Sequence, residues 1–107
     1  MKDLVPETQK ALFHKMWFAK ATHRCFIDGT IIRQFSYHSF AHVLPKGGYG
    51  HYKLKEENIV IMHPKYHIAQ HSLGKQECID IHEGFRKFFD LQDKLREKYN
   101  REFTNTY

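Results

Sequence analysis

A chain of 107 residues with 17 Lys and Arg against 12 Asp and Glu, 41% hydrophobic and 15% aromatic, has the length of one domain and enough apolar side chains for a core, which excludes disorder over most of its length. No apolar run approaches the ~20 residues of a membrane helix, and the opening Met-Lys-Asp-Leu-Val-Pro lacks a signal-peptide hydrophobic region, so the expectation is no membrane partner and an intracellular, cytoplasmic location. The formal charge of +5 favours an anionic partner, nucleic acid first, because each Lys or Arg set on a phosphate releases condensed counterions.

Pro6-Glu7-Thr8 reads as a helix start. Leu12, Met16 and Ala19 form one stripe with Phe13 and Trp17 beside it, which predicts a helix over residues 6–22. Cys25 to Ile27 and Thr30 to Ile32 are short extended pieces around Asp28-Gly29, a pair suited to positive φ, and so predict a hairpin. Residues 35–44 are aromatic and β-branched in parts, predicting a strand that stops where Pro45 removes a backbone donor, with a loop from Lys46 to Gly50. Residues 58–62 form a short apolar run typical of a buried strand. His63-Pro64 then opens a helix through Leu73, with Gly74 at the position just past its end. A second long helix is predicted over 79–101, with Ile81, Phe85, Phe88, Leu95 and Tyr99 at helical spacing, and the residues up to Tyr107 are expected to fray.

The chemistry gathers in the strand, loop, strand, helix stretch. Nine histidines are an excess for so short a chain, and imidazole is both the usual nitrogen ligand of transition metals and the usual general base near neutral pH. His67 and His71 stand at i and i+4, so they share a helix face and can converge on one cation. Taken alone, such a pair is ordinary helix surface. His42 ends a strand ahead of the glycine loop and Asn58 opens the returning strand; each alone is as well explained by a structural role. Cys25 and Cys78 make neither a CxxC pair nor a disulfide framework and read as buried thiols.

Together, Phe40-Ala41-His42, the Pro45 to Gly50 loop, Asn58, and Pro64-Lys65-x-His67-x-x-x-His71 closed by Gly74-Lys75 resemble the HNH motif of the ββα-metal endonucleases. The wording is nearest to colicin-type DNases and small phage HNH-like proteins, and the likeness covers about residues 38–75. It implies an α+β fold in which an HNH (ββα-metal) motif is flanked by N-terminal and C-terminal helices, all in one nuclease-like domain over 1–107. The implied activity is metal-dependent endonucleolytic hydrolysis of phosphodiester bonds in nucleic acid, DNA in the first instance.

On that resemblance His42 is the general base that activates water, His67 and His71 hold one divalent metal ion (Zn, Ni, Mn or Mg), and Asn58 braces the loop and helps orient His42. Lys46, Gly47, Gly48, Lys53 and Lys65 are the expected phosphate-approaching residues. One position departs from the pattern. The residue before the general base is usually an Asp or His ligand, and here it is Ala41. His38 is a substitute ligand, although strand alternation puts it on the face of His42; His51 and His63 are further candidates. Ala41 keeps an alternative open, an HNH-fold DNA-binding or regulatory protein with weak or no catalysis. A helical interaction protein acting through Phe85, Phe88, Phe89 and Leu95 leaves the histidine spacing unexplained.

Overall fold

Two short strands, β1 (Phe40–His42) and β2 (Ile59–Ile61), pair antiparallel in the computed structural model, which describes residues 4–45 and 47–103. Phe40 lies opposite Ile61, Ala41 opposite Val60 and His42 opposite Ile59. Side chains alternate along a strand, so Phe40, His42, Ile59 and Ile61 share one face of the ribbon while Ala41 and Val60 share the other. Helix α1 (Leu4–Phe18) covers the first face, where Phe13 stacks on Phe40 with ring centroids 4.6 Å apart. The second face belongs to the main core, in which Ala41 and Val60 pack with Tyr66, Ala69, Phe85 and Phe88. The result is an α+β fold of four helices and one two-stranded antiparallel sheet among the described residues. None of these helices is long and apolar enough to cross a membrane.

Helix α1 stops four residues before the expected Thr22 because the chain folds back on it: His23 is buried, stacks on Trp17 at 3.7 Å and donates from Nε2 to the Trp17 carbonyl at 2.6 Å. That bond satisfies a carbonyl the helix end would otherwise orphan. The Asp28-Gly29 turn forms, but the hairpin expected around it is reduced to a single bridge, Arg24 to Ile31, because residues 26–28 are taken up by the turn itself. Gly29 takes φ 77°, its amide donates to the Cys25 carbonyl at 2.8 Å, and the Cys25 amide donates to the Thr30 carbonyl at 2.7 Å. The strand expected over 35–44 is shorter than that. Ser36 accepts the His38 amide through Oγ (3.1 Å) and starts a single 3-10 turn at Tyr37–Ser39, a local side-chain bond competing with the ladder.

Helix α2 (Pro64–Ser72) opens with proline in its first turn. Gly74 does not end it in a left-handed conformation; with φ −73° and ψ 170° it starts a new helix, α3 (Lys75–Ile81), its amide donating to Glu77 Oε1 at 2.9 Å. The single helix expected over 79–101 is therefore two, with α4 (Phe85–Phe103) beginning after a break at residues 82–84. Gly84 causes the break. Its amide donates to His82 Nδ1 at 2.8 Å, and a Cβ there would sit 1.7 Å from the Ile27 carbonyl oxygen, so only glycine lets the junction rest on the 25–30 turn. Phe85, Phe88 and Leu95 are core, whereas Ile81, on the α3 side of the break, is half exposed. The fraying expected at the last residues falls on 104–107, outside the described residues.

Candidate functional site

Helix α2 is fastened to β1 and the 3-10 turn before it by two side chains that donate to main-chain carbonyls, His67 Nδ1 to His38 in the turn at 2.7 Å and Gln70 Nε2 to His42 in the strand at 3.2 Å. A carbonyl can only accept, so His67 carries its proton on Nδ1 and keeps a lone pair on Nε2. This is the tautomer a metal-ligating imidazole adopts when its far nitrogen is held by a carbonyl. His67 Nε2 lies 3.1 Å from His71 Nε2, as the i, i+4 spacing implies. Burial lowers the His67 pKa from its ordinary 6.5, against the raising effect of the His38 carbonyl, and the imidazoles of His71 and His38 lower it further. The His67 ring thus favours its neutral form, with its Nε2 turned to that of His71.

His42 sits on the α1 side of the ribbon, half-buried, its ring 6.3 Å from Phe13. Its Nε2 is 2.8 Å from the Lys53 carbonyl and, since a carbonyl can only accept, donates to it. The loop supplying that carbonyl is held by Asn58, which is fully buried. Asn58 Oδ1 accepts the Leu44 amide at 2.7 Å, and Nδ2 donates to the carbonyls of Leu44 (3.2 Å) and Tyr52 (3.3 Å). Tyr52 and Lys53 are adjacent, so the asparagine fixes the segment against which the His42 ring is braced.

The structure brings His67 and His71 together and ties Asn58 to the loop beside His42, while His42 is joined to α2 through its carbonyl by Gln70. Gln70 Oε1 is buried with no hydrogen-bond partner. His38 lies in the 3-10 turn with its side chain exposed and serves His67 through its backbone. Ala41 is fully buried in the main core, so apolar packing occupies the place where the motif carries a ligand. His51 stacks on Phe103 at 4.3 Å. Gly47 and Gly48 are exposed, Lys53 is half-buried, and Lys65 is exposed with Nζ 5.1 Å from the Tyr66 ring centroid; Lys46 lies outside the described residues.

Among the described residues, the one set of three or more His, Cys, Asp or Glu ligand atoms within 4.8 Å of one another is Cys25, Asp28 and His63. The chain therefore carries a group that can hold a metal ion, and it is not the predicted one. The signals for it in the sequence were the Cys25-x-x-Asp28 spacing across a turn and a third histidine one helical turn before His67. Compared with family models, curated proteins and solved structures, the chain matches none.

Proposed function

We propose that this protein is a metal-dependent endonuclease of the HNH type, hydrolysing phosphodiester bonds of nucleic acid, DNA first, with His42 as the general base. The observation that carries the reading is the chain of hydrogen bonds from Asn58 to the 52–53 segment and from the Lys53 carbonyl to His42 Nε2. It fixes the ring in place, and the Lys53 carbonyl would stabilise the imidazolium formed when His42 takes a proton from water. His67 and His71 fit a divalent ion, since two imidazole nitrogens face each other at 3.1 Å with the tautomer of His67 already set. Imidazole donors favour Zn²⁺, Ni²⁺ or Mn²⁺ over Mg²⁺. Such an ion supplies positive charge where the phosphate and the leaving oxygen gain negative charge. Gly47, Gly48, Lys53 and Lys65 border the loop and helix that phosphates would approach.

The buried Ala41 favours a second reading, a nucleic-acid-binding or regulatory protein of the same architecture. Supercoiled plasmid incubated with chelated protein, then with Zn²⁺, Ni²⁺, Mn²⁺ and Mg²⁺ added back singly, separates them. The nuclease reading expects nicking that chelator stops and at least one ion restores. Plasmid binding without nicking under every ion contradicts it and selects the second reading.

A further inference from the structure

We propose that Cys25, Asp28 and His63 form a second metal site, for a transition ion of the zinc class, that pins the 25–30 turn to the start of α2. The three ligand atoms come from two segments far apart in sequence and lie within 4.8 Å of one another, with His63 Nε2 4.0 Å from Asp28 Oδ1. The turn explains the first two. The Gly29 amide folds back on the Cys25 carbonyl, so residues three apart point to the same side. The third stands where β2 ends and α2 begins, with the His63 amide donating to Cys25 Sγ at 3.4 Å.

The surroundings hold these groups for a cation. Thr30 Oγ1 donates to Asp28 Oδ1 at 2.7 Å and so accepts from His63 Nε2 at 2.6 Å, and Tyr66 donates to Asp28 Oδ2 at 2.9 Å; the carboxylate is thus held by two neighbours, and an ion on His63 Nε2 would take the place of Thr30 there. Cys25 is 2% exposed, and the side chains of Asp28 and His63 are 14% and 28% exposed, which leaves an entry path on one side and little competing water.

The donor set decides the ion. One sulfur, one imidazole nitrogen and one carboxylate oxygen suit Zn²⁺ or Co²⁺ and are wrong for the all-oxygen shells of Mg²⁺ and Ca²⁺. Bond lengths of about 2.0–2.3 Å set tetrahedral ligand atoms roughly 3.3–3.8 Å apart, so the group would close by about 1 Å on binding, with the Cys25 proton released to solvent, the His63 proton moved from Nε2 to Nδ1, and water in the fourth position. Cys78 is not a competitor, since its Sγ donates to the Ala69 carbonyl at 3.4 Å. The clip would hold the helix that presents His67 and His71, yet it stands without the nuclease reading: a chain with no cleavage activity would still bind here.

Titrating metal-free, full-length protein with Co²⁺ tests this directly. Thiolate-to-cobalt charge transfer absorbs in the near ultraviolet, and His67 and His71 offer no sulfur. The expected result is a band that saturates at about one ion per chain and is displaced by Zn²⁺. It persists in Cys78→Ser and in the His67→Ala/His71→Ala double variant, disappears in Cys25→Ser, and needs at least about tenfold more Co²⁺ in Asp28→Asn and His63→Gln. No band in the parent, or a band surviving Cys25→Ser, overturns the proposal. Zinc X-ray absorption on the double variant needs no change at the site; one sulfur at about 2.3 Å is expected, and a shell without sulfur overturns it.

Discussion

Asn58→Ala removes the residue on which the loop before β2 depends. Three hydrogen bonds go with it, and their partners, the Leu44 amide and the carbonyls of Leu44 and Tyr52, belong to residues that are fully buried. Each bond is worth about 1 kcal/mol net, and more where the orphaned group finds no water, so the loss is about 3–5 kcal/mol. A chain of 107 residues has roughly 5–15 kcal/mol in total, so the variant folds but is much weakened. Urea unfolding followed by the fluorescence of the sole tryptophan, Trp17, reads this out; at an m-value of about 2 kcal/mol per molar, the midpoint falls by about 2 M. Under conditions where the variant is still folded, nicking falls because His42 loses its braced carbonyl, while affinity at His67 and His71 holds. A loss below about 1 kcal/mol would mean that Asn58 does not hold the loop and would refute the positioning argument for His42.

Gly84→Ala drives a methyl into the Ile27 carbonyl and should cost about 3 kcal/mol or more by forcing the α3–α4 junction off the 25–30 turn, measured as a drop in Tm. Tyr52, fully buried and donating to Glu102 Oε1 at 2.7 Å, has its pKa pushed up from 10.0 to about 12, first by burial and then by Glu102. The folded state holds that proton more tightly, so the associated stability is complete below pH 10 and is lost as pH rises towards 12, by about 1.4 kcal/mol per pH unit. Tyr66 behaves alike, also near 12. Tyr52→Phe should therefore lose stability over that range with a shallower slope than the parent; an equal slope in urea titrations at stepped pH would count against the assignment. Ala41→Asp puts a carboxylate at a fully buried position and should lower Tm in chelator, with added divalent ion restoring most of the loss if residue 41 faces the His67/His71 pair. Melts without that recovery would show that it does not.

Much of the site's skeleton was legible because it depends on local rules. The apolar run at 58–62, Pro64 at a helix start and the i, i+4 pair at 67 and 71 are each read within one element; the helix start and the pair are as expected, and the strand is there over 59–61, with Asn58 ending a 3-10 turn ahead of it. What was not legible depends on the approach of distant segments. Nothing near Gly84 announces that its neighbour is the Ile27 carbonyl, and the apolar stripe runs on past the break, so one helix was expected where there are two. Ser36 stops the strand by a side-chain bond that its β-prone neighbours mask. The cysteines were read as inert thiols because a metal site was sought in pairs of cysteines, while the ligands of the Cys25 group lie on a turn and on a helix start 38 residues apart. The ring orientation of His42 and His67 likewise depends on the carbonyls of Lys53 and His38, which no pattern of side chains can reveal.

The nicking rate of supercoiled plasmid by His42→Ala beside the parent, at a saturating divalent ion, tests the central claim most directly. His42, its ring held by the Lys53 carbonyl, is the proposed base, so the variant's rate should fall by about 10² or more with plasmid binding retained. Nicking by His42→Ala at the parent rate would contradict it.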